Sequence, residues 1–170
     1  VMHVNIREGK IEDAPVMWEI QQDVASEGPY LITITEELKK TSEHHHNWVS
    51  ELIEHERKHL LVAEIDEKII GWIVFQSPSR ARLAHTGTFG MMVQEASRGM
   101  GIGRQLLEHL MEWAKDHPVI EKVSLGVFSS NENAIRLYQR LGFVEEGRKV
   151  REIKLEEGQY VDDILMYRFV

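Results

Sequence analysis

Three glycines in alternate positions, Gly99, Gly101 and Gly103, stand between a strand-like run, Thr86 to Val93, and the most regular amphipathic segment of the chain. From Val93 to Arg104 a strand end, a glycine-rich turn and a helix start follow one another directly, which commits the chain to a mixed α/β arrangement in which helix and sheet pack face to face. The helix is read from Ile102, Leu106, Leu107, Leu110, Met111 and Ala114 at helical spacing, with Pro118 closing it. Its first turn offers backbone N–H groups and the positive end of the helix dipole, and the glycines keep side chains out of the way, so the segment is an anion cradle. A ligand carrying a pyrophosphate is implied. Spacing separates this turn from two other phosphate cradles. Arg104 stands where G-x-G-x-x-G needs its third glycine, and no Lys-Ser or Lys-Thr follows as a P-loop requires. The turn also lies in mid-chain after several strands, whereas a dinucleotide fold opens with it.

Period and punctuation give the other elements. Val4 to Arg7 reads as a short strand, and Asp13-Ala14-Pro15 supplies a cap and an early proline for a helix toward Ala25. A second helix is predicted over Ser42 to Arg57. Leu60 to Ile65 and Ile69 to Gln76 are β-rich runs joined by Asp66-Glu67-Lys68, which has the length and polarity of a hairpin turn. Val123, Leu125 and Val127 alternate as a strand before a helix that carries Ala134, Tyr138 and Leu141 on one face and stops at Gly142. Val144 to Leu155 and Tyr160 to Phe169 flank Glu156-Glu157-Gly158-Gln159 as a closing hairpin. The flanks of Pro29 and the Ser77 to Ala84 segment read as loops, too short to divide the chain. Residues 1–170 are therefore expected to form a single domain of class α/β.

A chain of 170 residues buries roughly two-thirds of its unfolded surface without staples. Its lack of cysteine excludes disulfides, Cys-based metal sites and an acyl-cysteine intermediate. A net charge of -8 argues against a nucleic-acid partner, which needs clustered Lys and Arg, and leans toward cationic small molecules; solubility alone is the blander reading of that charge. With no basic segment leading into an apolar run and no stretch near the ~20 residues of a membrane span, a cytoplasmic location without membrane partner is expected.

Against that background, Arg98-Gly99-Met100-Gly101-Ile102-Gly103 resembles the Q/R-x-x-G-x-G/A acetyl-CoA signature of the GCN5-related N-acetyltransferase (GNAT) superfamily. Asn131-Glu132-Asn133-Ala134-Ile135-Arg136-Leu137-Tyr138-Gln139-Arg140-Leu141-Gly142-Phe143 resembles the family's N-x-x-A-x-x-x-Y-x-x-x-G-F block at the expected distance downstream. Gly158 to Met166 resembles the closing strand of bacterial amino-acid and phosphinothricin-type antibiotic acetyltransferases. The likeness runs from about Thr86 to the C-terminus, and the segment before Leu60 matches only loosely.

The resemblance implies a GNAT fold, a twisted, mostly antiparallel sheet of about seven strands flanked by about four helices. It implies acetyl-CoA as cosubstrate, no metal, and direct transfer to a primary amine of a small molecule. A non-catalytic acyl-CoA sensor or scaffold and a protein N-acetyltransferase share the donor half and stay open as alternatives, as does homodimerisation. By the same resemblance the pyrophosphate rests on the amides of Arg98, Gly99, Met100, Gly101, Ile102, Gly103 and Arg104. The pantetheine lies beside Met91, Met92 and Val93, its arm is held by Asn131, and a backbone N–H near Met91 faces the thioester carbonyl as an oxyanion donor. Tyr138 matches the motif tyrosine. A phenol with an ordinary pKa of about 10 is un-ionised at neutral pH and so has a proton to give to a departing thiolate, and packing beside Ala134 and Leu141 is its competing role.

An amine of pKa about 10.4 is about 0.04% neutral at pH 7, so a proton acceptor is needed. Some relatives use a glutamate on the strand before the glycine turn, where this chain has Gly87; His85, Glu27 or a water chain remain. His44-His45-His46 cannot converge on one ion from a helix, because consecutive residues point about 100° apart. His55 and His59 read as a solvated helix end. Trp18, Trp48, Trp72 and Trp113 read as packing residues, with Trp18, beside Tyr30, the candidate for an acceptor-pocket wall. Of Asp162 and Asp163, strand period turns one inward or toward a partner.

Overall fold

The computed structural model describes residues 3–28 and 42–170. Strands β1 (Val4–Glu8), β2 (Lys58–Ile65), β3 (Lys68–Gln76), β4 (Thr86–Val93), β5 (Lys122–Phe128), β6 (Val144–Glu156) and β7 (Gln159–Phe169) form one sheet in the order β1-β2-β3-β4-β5-β7-β6. Helices α1 (Ala14–Glu27) and α2 (Ser42–Glu54) cover one face, and α3 (Ile102–Asp116) and α4 (Glu132–Arg140) the other. Every strand pair is antiparallel except β4 with β5. The architecture is the one the sequence implied. No helix among the described residues is long and apolar enough to cross a membrane.

The central strands β2 and β3 are nearly continuous apolar runs because both of their faces are covered. Successive side chains point to opposite faces. Leu61, Ala63, Ile73 and Phe75 meet Leu106, Leu107 and Leu110 of α3, whereas Leu60, Val62, Trp72 and Val74 meet Met17 and Ile20 of α1 and Val49 and Leu52 of α2. Two cores result, one on each side of the sheet.

The sheet is interrupted between them. β4 and β5 pair only at Thr86–Thr88 with Lys122–Ser124, while β4 stays on β3 to Val93 and β5 stays on β7 to Phe128. Beyond Thr88 the two parallel strands splay, and the edge of β4 facing β5 has no strand to pair with. Its backbone groups are left for a ligand or water.

Three expectations are corrected. α2 stops at Glu54, not Arg57, because β2 must begin at Lys58 to pair with Gln76; His59 is therefore a strand residue and shares no helix with His55. The β2–β3 turn is the two-residue Asp66-Glu67, both at positive φ (51° and 65°), so Lys68 already belongs to β3. Asp13 stands at the N-cap of α1 as expected, but its side chain makes no capping bond. Its carboxylate accepts two hydrogen bonds from the Arg7 guanidinium (2.9 Å each) and one from the Lys10 N–H (2.8 Å). Those bonds outweigh burial and hold it below the usual carboxylate range.

Candidate active site

The turn leading into α3 is shaped by Gly99 and Gly101, at φ +78° and +77°, conformations that favour glycine. A Cβ at either would meet no atom within 4 Å, so the space over the turn is open. Gly103 differs: a Cβ there would come 3.2 Å from Met91 Cε, so this glycine lets α3 close on β4. The Arg98 N–H bonds the Glu95 carbonyl (3.2 Å), and the helical ladder begins with the Gln105 N–H on the Gly101 carbonyl (3.1 Å). Between them, the N–H groups from Gly99 to Arg104 find no acceptor among the described residues. The residues that carry those orphan donors, Met100 apart, line a cleft of about 400 Å³ with Arg98, Leu137 and Arg140, whereas Met100 lines a separate cavity beside Arg7, Ile70 and Ser97. Arg98 is bonded to Glu27 and Arg104 to Glu108, whereas Arg140 has no ion-pair partner among the described residues. The residues fit a pyrophosphate. Sequence reasoning passed over Arg140, whose one signal was its place three residues after Leu137 on the same face of α4.

At the splay, backbone direction follows from one hydrogen bond. The Gln94 N–H bonds the Ile70 carbonyl across to β3 (2.9 Å), so in an antiparallel ladder Met92 and Gly90 also direct their backbone groups to β3, and Met91 and Val93 direct theirs into the gap. The Val93 carbonyl is taken by Arg98 Nε (2.9 Å). Of the three residues expected beside the pantetheine, Met91 thus presents its backbone to the gap, Val93 presents its N–H, and Met92 contributes side chain alone.

A cavity of about 570 Å³ passes through the gap. Gln21 of α1 and Trp48 of α2 wall one side, Trp72, Thr88, Gly90 and Met92 form its floor, and Asn131 and Tyr138 reach it from the other side of the sheet. Asn131 Oδ1 caps α4 on the Ala134 N–H (3.4 Å) while the residue lines the cavity. The Tyr138 ring is 9% exposed and meets Phe89 and Phe143 edge-on at 5.7 and 6.3 Å. Its hydroxyl has no hydrogen-bond partner among the described residues. Only His45 Nε2 is both fully enclosed and unpartnered there, so the Tyr138 hydroxyl opens onto the cavity. Burial pushes its pKa up to about 12.

Other residues singled out from sequence fall elsewhere. His85 precedes β4 at the closed end of the gap, where its carbonyl accepts from Glu121 and Lys122, and Glu27 is held by Arg98 at 2.6 Å; neither lines the cavity. Gly87 faces the α3 core, where a Cβ would lie 2.1 Å from the Phe75 ring, so no glutamate fits there. Trp48 and Trp72 line the cavity, while Trp18 stands behind it against His45 at 5.4 Å. Tyr30 lies outside the described residues. His59 stacks on Trp113 at 4.4 Å.

A seven-stranded sheet split between β4 and β5, with an anion cradle beside the split, defines a class of acyl-CoA-handling fold, and residues 18–143 match the Acetyltransferase (GNAT) family. The chain belongs to that family and is an acetyl-CoA-dependent N-acetyltransferase. It is 29% identical over 123 residues to the L-amino acid N-acetyltransferase AaaT of Escherichia coli, covering 72% of this chain and 75% of that protein. A GNAT-family acetyltransferase from Streptococcus pneumoniae has the same fold with a TM-score of 0.93 at 27% identity, covering 99% of this chain and 100% of that one. yncA of Salmonella typhimurium, solved with acetyl-CoA, shares the fold at TM-score 0.85 and 21% identity, covering 98% and 94%.

Proposed function

We propose that the chain passes the acetyl group directly to the primary amine of a small molecule, with donor and acceptor meeting at the β4–β5 gap. The observation that carries this reading is a cavity walled by α1 and α2 on one side and by Tyr138 and Asn131 on the other. A volume of about 570 Å³ suits a small ligand better than a folded protein surface. Acetyl-CoA supplies the activated acyl group and a thiol leaving group.

The residues then divide the work. The Gly99–Arg104 amides, with Arg140, bind the pyrophosphate. Asn131 and the backbone of Met91 and Val93 hold the pantetheine. The Met91 N–H stabilises the charge on the carbonyl oxygen, a contribution of about 3–4 kcal/mol where one such donor is removed in other acyl transfers. Tyr138 faces the sulfur. A phenol at about 12 is a weaker acid than a thiol near 8.5, so full proton transfer runs uphill by about 5 kcal/mol. Tyr138 therefore acts chiefly as a hydrogen-bond donor to the sulfur as its charge grows. One N–C bond forms, the C–S bond breaks, and the proton shed by nitrogen leaves through cavity water, since His85 and Glu27 stand outside.

Amine-dependent release of CoA, followed with a thiol reagent across small amines and a peptide set, tests this reading. Release coupled to N-acetylation of a small amine is expected. Release only with peptides, or binding of acetyl-CoA without turnover of any amine, would overturn it.

A further inference from the structure

Asp162 and Asp163 point to opposite faces of β7. Asp162, on the face that carries Ile164 and Met166, has its carboxylate already occupied, accepting from Arg148 Nη1 (3.0 Å) and the Arg151 N–H (2.7 Å). Asp163 is half-buried and lines the cavity at the gap, where it is the one charged residue among the described lining residues. Its carboxylate makes no hydrogen bond or ion pair among the described residues; Lys149, its cross-strand neighbour on β6, pairs with Glu152 at 3.7 Å instead. The carboxylate is seated over β5 by the absence of a side chain at Gly126, where a Cβ would lie 3.0 Å from Asp163 Oδ1. Trp48, Trp72 and Phe128 give the same cavity apolar walls.

We propose that Asp163 anchors a second, non-reacting ammonium group of the acceptor, and that the acceptors are small aliphatic diamines or polyamines without a carboxylate. The inference rests on the transferase reading above. A half-buried carboxylate without a partner is costly unless a cation completes it. Held against the reacting nitrogen, it would raise that amine's pKa and oppose formation of the nucleophile. Held against a distant ammonium, it positions the chain of methylenes along the tryptophans and leaves the reacting amine to desolvate at the gap. No cation among the described lining residues is available to receive an α-carboxylate, so an amino acid places its anion in a cavity that already holds one.

The test compares putrescine with ornithine, which adds a carboxylate, and with butylamine, which lacks the second ammonium, in the parent and in Asp163→Asn. In the parent, kcat/KM for putrescine should exceed both controls by about 100-fold, on the order of a desolvated ion pair. Asp163→Asn should raise KM for putrescine at least tenfold, leave kcat within threefold, and leave butylamine unaffected. A parent preference for ornithine, or an unchanged KM in the variant, would overturn the proposal. An equal fall in kcat for putrescine and butylamine would also overturn it, making Asp163 a base instead of an anchor. Calorimetric titration of putrescine into CoA-loaded protein reads the anchor apart from turnover. Binding that weakens tenfold or more in the variant supports the anchor even if no amine is acetylated, and absence of binding in the parent refutes it. The thermal shift given by acetyl-CoA checks that Asp163→Asn is folded.

Discussion

Tyr138 holds its proton far above neutral pH because its ring is enclosed by Phe89 and Phe143, and the same enclosure limits what the hydroxyl can do. A hydrogen bond to a charged group contributes about 1.5–3 kcal/mol. Tyr138→Phe should therefore lower kcat about 10- to 150-fold, with acetyl-CoA affinity nearly unchanged; a kcat within threefold of the parent would return the residue to packing alone. His45 makes a second residue-scale case. It is buried between Trp18 and Trp48, 5.4 Å from each, and desolvation lowers its pKa. With the folded pKa below the unfolded value of about 6.5, the unfolded chain binds more protons just below that pH, so His45's contribution is full above about 6.5 and is lost as pH falls. The Tm of His45→Phe should fall less than that of the parent between pH 7.5 and 5.5, as thermal melts at matched ionic strength will show. Parallel pH dependences would remove His45 from the account. Sequence alone placed Tyr138 within a motif, and strand period said that one of two aspartates turns inward. Which aspartate it is depends on the register of β7 against β5, a tertiary property.

At the scale of elements, the β2–β3 hairpin and the turn before α3 were readable because glycine, charge and apolar period mark them locally. The end of α2 was not, since it is fixed by where β2 must meet β3. In the Asp66-Glu67 turn, Glu67 sits at φ 65°, a left-handed conformation that costs a non-glycine residue about 1–2 kcal/mol, partly offset by glycine's own entropy cost. Glu67→Gly should accordingly stabilise the fold by about 0.5–1 kcal/mol in urea denaturation; destabilisation would mean that the Glu67 side chain makes a contact worth more than the strain. The glycine turn has a sharper test. Acetyl-CoA at 100 times its Kd should stabilise the parent by about 2.7 kcal/mol. Gly101→Glu, which puts a side chain at φ +77° and a negative charge among the orphan amides, should abolish that gain. An undiminished shift would move the cradle elsewhere.

For the molecule as a whole, the informative feature is a sheet with a separate core on each face and one opening between them. Element types and their order were legible from period. The opening was not, because the divergence of β4 from β5 beyond Thr88 depends on how α3, α4 and β7 draw the two strands to different neighbours. The mechanism proposed above rests on it: donor and acceptor would approach from opposite faces, meet at the gap and need no acylated residue, in keeping with a chain that has no cysteine. Initial rates of CoA release, measured with acetyl-CoA and putrescine varied together, test that arrangement most directly. Double-reciprocal lines that intersect, with one N-acetylated amine formed per CoA released, are predicted. Parallel lines, accompanied by a stable gain of one acetyl mass on the protein in the absence of amine, would contradict it.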